Sequence, residues 1–298
     1  MRFISTTKIQ NLVKKVAALF KSKRIFLSRK RHIVFVCGGH SERTARKRFL
    51  RYAKEELPDV TFFQAEIAEM DCLSHNKPTF LNLSDFEALV AAIADCIILF
   101  PETPGAIAEL GLFSGSKKAR KKLLVAIAAE YQSNDSFINR GPLATIDKES
   151  AFGTRVVLDR KRPNFPHIKE KLDLLGKFRN RSTFKHETMT KMSKSEQLFV
   201  ILEIVNIFRA LSLPEIEELI TSIFSKPSGR ELRYLLSILV AARYVTRKGT
   251  DEEYFVATDP PHSFFDYEGS ESEIADIKID ILNNYQETDT PRFNFLES

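Results

Sequence analysis

The 298-residue chain predicts an α/β fold, a parallel sheet flanked by helices, joined to a smaller, mainly helical domain. Short β-branched apolar runs alternate with helical stretches between residues 30 and 160. Glycines close the turns after the first and third of those runs. Three helical stretches and a hairpin pattern then occupy 193–267. A basic extension (1–29), a linker (161–192) and an acidic tail (268–298) complete the expected organisation.

The first strand is HIVFVC, followed by Gly38-Gly39 and a helix expected from Ser41, with that serine as a candidate N-cap. VTFFQAE (60–66) reads as a second strand. LSDFEALVAAIA then reads as a helix, with Ser84 and Glu87 spaced as a capping box. DCIILFPE is a third strand, and Pro104-Gly105 opens the next helix. KLLVAIA (122–128) and TRVVLD (154–159) are the fourth and fifth strands. Asn139-Arg140-Gly141-Pro142 reads as a turn. Strand–helix alternation implies right-handed crossovers, and ligands in such sheets sit beyond the carboxyl ends of the strands. The CGGHSE and FPETPGAIAE segments both lie at such ends.

In the second domain EQLFVILEIVNIFRAL reads as an amphipathic helix. Another starts at Ser212 with Pro214 in its first turn. A third spans SGRELRYLLSILVAARYVTRKG, its Leu232, Leu235, Leu236 and Leu239 facing a core. A ribbon turning at Gly249 completes a winged-helix pattern.

The net charge of +6 is unevenly spread. Residues 1–54 carry net +15 and residues 250–298 carry net −11. The basic end points to a polyanion partner, and mutual neutralisation of the two ends is the other reading. Lys14, Lys15, Arg46, Arg230, Arg233 and Arg247 are the candidate nucleic-acid contacts, Arg243 and Lys248 lying beside the last. For the winged helix, docking to a partner or to a nucleic-acid backbone is expected ahead of base reading. Cys37, Cys72 and Cys96 show no CxxC spacing, so neither a zinc site nor a disulfide framework is indicated. No apolar run is long enough to span a bilayer, no signal peptide is indicated, and a cytosolic location is expected.

The segment FPETPGAIAELGLFS (100–114) combines three features. Pro104 and Gly105 turn the chain where a ligand approaches, the helix N-terminus suits a phosphate, and Glu109 follows about one turn later. A carboxylate there stabilises or attacks an oxocarbenium-like centre in glycosidic cleavage, or it is an acid complementing the helix dipole. Gly38 and Gly39 suit phosphate approach or a tight turn. His40 suits ribose or phosphate contact, Arg140 a phosphate, and Phe100 the core.

CGG, ADCIILFPETPGAIAELG and KLLVAI together resemble nucleoside 2-deoxyribosyltransferase-like domains over roughly residues 30–160. The resemblance implies that fold, with Glu109 as nucleophile on the sugar C1′. It implies Glu102 and Asp85 as sugar- or base-binding acids; Pro104, Gly105 and Ser114 are further substrate-binding candidates. The long motif, SFINRGP and the tail ILNNYQETDTPRFNF further resemble effector proteins of bacterial retron anti-phage systems. That likeness implies a toxin cleaving NAD⁺, as substrate rather than cofactor; from the residues themselves no metal and no membrane association are expected. It also implies a higher-order oligomer, and partners in a reverse transcriptase and its multicopy DNA–RNA hybrid. Deoxyribosyl transfer, phosphoribohydrolase activity and a non-enzymatic nucleotide-sensing DNA-binding regulator are the alternative readings.

Overall fold

The computed structural model describes residues 6–28, 32–58, 60–75, 83–133, 135–159, 161–178, 181–249 and 252–297. The chain forms two compact units: 31–67 with 77–179, and 1–30 with 68–76 and 180–298.

The first unit holds a five-stranded parallel sheet. Its strands are β1 (His32–Cys37), β2 (Val60–Phe63), β3 (Cys96–Leu99), β4 (Leu123–Ala128) and β5 (Val156–Leu158), in the order β2-β1-β3-β4-β5. Pairing is in register at Val34↔Cys96, Ile97↔Leu123 and Ala126↔Val156. All of β1 and β3 is buried, which explains their near-continuous apolar sequences. The chain order reverses between β1 and β3, which makes their carboxyl ends the switch point of the sheet.

Helix α1 (Ala45–Glu56) buries Phe49 and Ala53 against Val34, Val36, Phe100 and Leu124. Its cap is Thr44, whose hydroxyl accepts from the Lys47 amide, so the helix starts later than Ser41. Helix α2 (Ala65–His75) takes over residues expected to extend β2, and from Ala68 onward it belongs to the second unit. Helix α3 (Leu83–Ile93) begins one residue before Ser84, which puts that serine inside the first turn rather than at the cap; its side chain lies outside the described residues. Helix α4 (Pro104–Gly115) is capped by Thr103 and buries Phe113, which meets Phe35 edge-on at 6.2 Å between ring centres.

Two further expectations change in this unit. Residues 139–143 form a π-helical turn leading into a helix at Ala144–Glu149, not an open turn. Residues 161–192, expected as a linker, divide between the units. The helix Pro166–Leu172 buries Ile168 and Leu172 in the sheet core.

In the second unit the helix Lys194–Phe208 is buried at every residue from Gln197 to Phe208 except the half-buried Phe199. It is a central helix rather than an amphipathic one. Ala210–Leu211 follows, then helices Leu213–Ile223 and Gly229–Ala241, then the hairpin Val245–Lys248 and Tyr254–Ala257. Gly249 turns that hairpin at φ 103°, and Ala210–Leu211 adds a third strand to it. Leu232, Leu235, Leu236 and Leu239 are buried.

The basic N-terminal helix Thr7–Lys21 packs in this same unit against the acidic helix Glu271–Thr288. Lys8 pairs with Glu287 at 2.9 Å, Lys15 with Asp280 at 3.3 Å and Arg24 with Glu273 at 3.1 Å. Part of the opposed charge at the chain's ends thus meets within the fold. Among the described residues, no helix is long and apolar enough to cross a membrane.

Candidate active site

The carboxyl ends of β1 and β3 meet through close backbone packing. Gly38 has φ 146°, and a Cβ on it would lie 3.0 Å from Arg46 and 3.1 Å from Phe100. A Cβ on Gly39 would lie 2.6 Å from Thr44 Cγ2 and 3.0 Å from Thr103 Cγ2, side chains of the residues that cap α1 and α4. Both glycines are therefore required by the protein's own packing. Gly105 differs: a Cβ there meets nothing within 4 Å. The fold does not need a glycine at 105, so that position is free for a ligand to approach.

Glu102 is held at the start of α1 and lines two cavities of this unit. Both of its carboxylate oxygens accept from the Ala45 amide, at 2.9 and 3.0 Å. It satisfies an otherwise unpaired donor at the start of α1 and complements the helix dipole there. Asp85 is exposed in the first turn of α3. Pro104 is the first residue of α4, and the Ser114 hydroxyl donates to the Gly111 carbonyl at 3.0 Å. Arg140 is exposed and pairs with Asp135 at 2.7 Å.

Around Glu109 a group of charged residues assembles that are scattered along the sequence. Arg46, expected to contact nucleic acid, is buried with only 2% of its surface exposed. Its guanidinium donates to the Gly38 carbonyl at 2.8 Å and to Gln64 Oε1 at 2.9 Å, and forms an ion pair with Glu66. His40 Nδ1 lies 3.1 Å from Glu66 Oε1. Glu66 is hidden in the sequence because residues 60–66 read as one strand. The rule that ligand-facing groups follow strand ends finds it once β2 is ended at Phe63.

Burial, and then the neighbouring Glu66, push the Glu109 carboxyl up to about 7, against the opposing effects of Arg46 and a hydrogen bond with Cys37. Glu109 Oε2 is buried without a hydrogen-bond partner. Cys37, at the end of β1, has its thiol raised well above its usual range by burial and then by Glu109 and Glu87. Glu66 and Arg46 thus act on Glu109, and Glu66, Glu87, Glu109 and Arg46 all act on Cys37. Such a site favours a ligand that brings positive charge.

Beside Glu102 lies a cavity of about 310 Å³ lined by Pro101, Ile107, Ala126, Tyr131, Ile138 and Leu143 among others, which gives the unit an apolar recess at the ends of β3 and β4. A second cavity of about 230 Å³ shares Glu102 with it and is lined also by Arg43, Arg48 and Glu130. Among the described residues, no group of three or more His, Cys, Asp or Glu is arranged to hold a metal ion.

In the other unit, Lys14, Arg230 and Arg233 are exposed, as is Arg243, while Lys15 is engaged by Asp280. Arg247 is not available as a nucleic-acid contact. Its guanidinium donates to Asp71 at 2.7 and 2.8 Å, pairs with Glu253 and lies 4.4 Å from the centre of the Phe255 ring.

Two relatives from Escherichia coli bear on this site. The "Retron Ec73 putative ribosyltransferase/DNA-binding protein" is 28% identical over 234 residues, covering 72% of this chain and 74% of the relative. The "Retron Ec86 putative ribosyltransferase/DNA-binding protein" is 35% identical over 127 residues, covering 42% of this chain and 39% of the relative. The family profile of the STM3845 retron effector protein matches residues 42–247, a span that runs from the capped start of α1 through Glu66, Glu87 and Glu109 into the hairpin of the second unit. The chain belongs to the STM3845 family of retron effector proteins.

Proposed function

We propose that the sheet-bearing unit cleaves the N-glycosidic bond of NAD⁺. The C1′–N bond breaks, its electron pair leaves with neutral nicotinamide, and water supplies the hydroxyl of ADP-ribose while releasing a proton. The observation that supports this reading best is Glu109: a half-buried carboxylate with one unpartnered oxygen, its carboxyl pushed up to about 7, beyond the carboxyl edge of a parallel sheet. A desolvated carboxylate interacts strongly with a developing oxocarbenium ion because little water screens it. Glu109 then attacks C1′ or stabilises the cation, and a bound pyridinium lowers its proton affinity so that it is ionised when the substrate is in place. Gly105 leaves room at the start of α4. Asp85 stands as the candidate ribose contact. The ribosyltransferase name of both relatives agrees with chemistry at an anomeric carbon.

The second unit, with helices followed by a hairpin, is proposed to act as a winged helix. Its exposed Arg230 and Arg233 would contact the backbone of a nucleic acid, in line with the DNA-binding name of the relatives. As a retron effector the protein is proposed to be held inactive by the reverse transcriptase and its multicopy DNA–RNA hybrid, within a higher-order assembly.

A nicotinamide-release assay on purified chain freed of partners tests the reaction. Release by the wild type and its loss in Glu109→Gln are expected. Intact NAD⁺ after prolonged incubation, or full activity in the variant, refutes it. Release of a purine or pyrimidine from a nucleotide panel instead would assign the site to deoxyribosyl transfer or phosphoribohydrolysis.

A further inference from the structure

Arg46 ties together three pieces of the sheet unit's edge. From α1 it reaches the Gly38 carbonyl after β1, Gln64 after β2 and Glu66 in the first turn of α2. The two turns that end adjacent strands are thereby stapled by one guanidinium. It is buried to 2% exposure, and its Nε has no hydrogen-bond partner. Burying a charge is unfavourable unless a partner compensates it, and apolar side chains fill such positions at less cost. Keeping Arg46 here holds the Glu66 carboxylate in a defined place, close enough to act on Glu109.

We propose that Glu66, clamped by the buried Arg46, is a positioning residue that controls whether Glu109 carries its negative charge. This rests on the reading of Glu109 as the catalytic carboxylate. The groups acting on Glu109 come from each neighbouring element: Cys37 at the end of β1, Arg46 on α1 and Glu66 on α2. Glu87 on α3 acts on the adjoining Cys37, and His40 sits against Glu66. Glu66 and Arg46 work in opposite directions. The negative charge of Glu66 disfavours a second negative charge on Glu109, whereas the positive charge of Arg46 favours it. Without a ligand Glu109 exchanges its proton near pH 7. A cationic substrate adds to the Arg46 side of the balance and releases that proton.

The test is a ¹³C carboxyl titration of Glu109 by NMR, assigned with Glu109→Gln, in the wild type, Glu66→Gln and Arg46→Gln. The midpoint is expected near 7 in the wild type. It should fall by about one pH unit in Glu66→Gln and rise in Arg46→Gln. The acid limb of nicotinamide release should move the same way in each variant. A purely structural role would not produce shifts of opposite sign. If Arg46→Gln does not fold, the Glu66→Gln titration decides alone. An unmoved midpoint in Glu66→Gln, or movement upward, overturns the proposal. Midpoints that shift as expected in a protein that releases no nicotinamide at any pH uphold the clamp and refute the reaction assignment.

Discussion

Replacing Glu109 with Gln should stabilise the sheet unit, and by an amount that depends on pH. The carboxyl is raised from 4.5 to about 7 in the folded protein, chiefly by burial. A tenfold change in proton affinity corresponds to about 1.4 kcal/mol, so the displacement sets an upper bound of about 3 kcal/mol. Partial solvent access reduces this to about 2 kcal/mol. The folded state binds the proton more tightly than the unfolded chain. Wild-type stability is therefore undiminished below pH 4.5 and declines as pH rises towards 7. Gln carries no charge, so the variant escapes that decline. Its advantage should be close to zero near pH 4.5 and reach about 2 kcal/mol by pH 8. Because the chain has two compact units, the measurement should be local to one of them. Native-state hydrogen exchange of the buried β3 amides, Ile97 to Leu99, across pH 4.5–8 reports the sheet unit. An advantage that does not vary with pH, or a wild type more stable than the variant at pH 8, would show that Glu109 is not held in a desolvated, carboxylate-rich site.

The two glycine classes separate packing from ligand approach. Gly39→Ala should destabilise by about 1–3 kcal/mol, since its Cβ meets Thr44 at 2.6 Å, whereas Gly105→Ala should leave stability unchanged or raise it by up to about 1 kcal/mol while lowering nicotinamide release. Urea midpoints with activity on both variants check this. Arg292→Ala should cost about 3–5 kcal/mol, because the side chain is 5% exposed and engages Glu215 at 2.8 Å and Asp289 at 3.0 Å; thermal melts read it. Lys15→Ala, by contrast, should cost under about 1 kcal/mol, its pair with Asp280 being exposed. Arg230→Ala with Arg233→Ala should weaken DNA binding and reduce the slope of log affinity against log salt by about 1 for each phosphate that these arginines neutralise. Arg247→Ala should instead lower stability, through Asp71 and Glu253.

Much of this fold is written locally. The parallel sheet follows from β1, β3 and β4, whose unbroken apolar residues have no partner but the core. The helices after Pro104 and Ser212 follow from cap and proline signals that act within one turn. Glu109 is legible because a carboxylate one turn into a helix that opens on Pro104-Gly105 is a pattern along the chain. What the sequence could not order are facts about distance in space. Strand β2 and helix α2 join without a breaker at Gln64, so Glu66 reads as part of the strand. Arg46 resembles every other cation in a net +15 segment, and only folding shows it withdrawn from solvent. Glu102 stands seven residues before Glu109 and reads as a sugar- or base-binding acid, and only the fold shows both its oxygens accepting from the start of α1. The charged ends of the chain read as an invitation to an outside polyanion, and the tertiary structure sets Lys8, Lys15 and Arg24 against Glu287, Asp280 and Glu273. Apolar periodicity and caps act over a few residues and so are visible in one dimension. Charge pairing and desolvation act over ångströms, whatever the separation along the chain, and only the tertiary structure decides them.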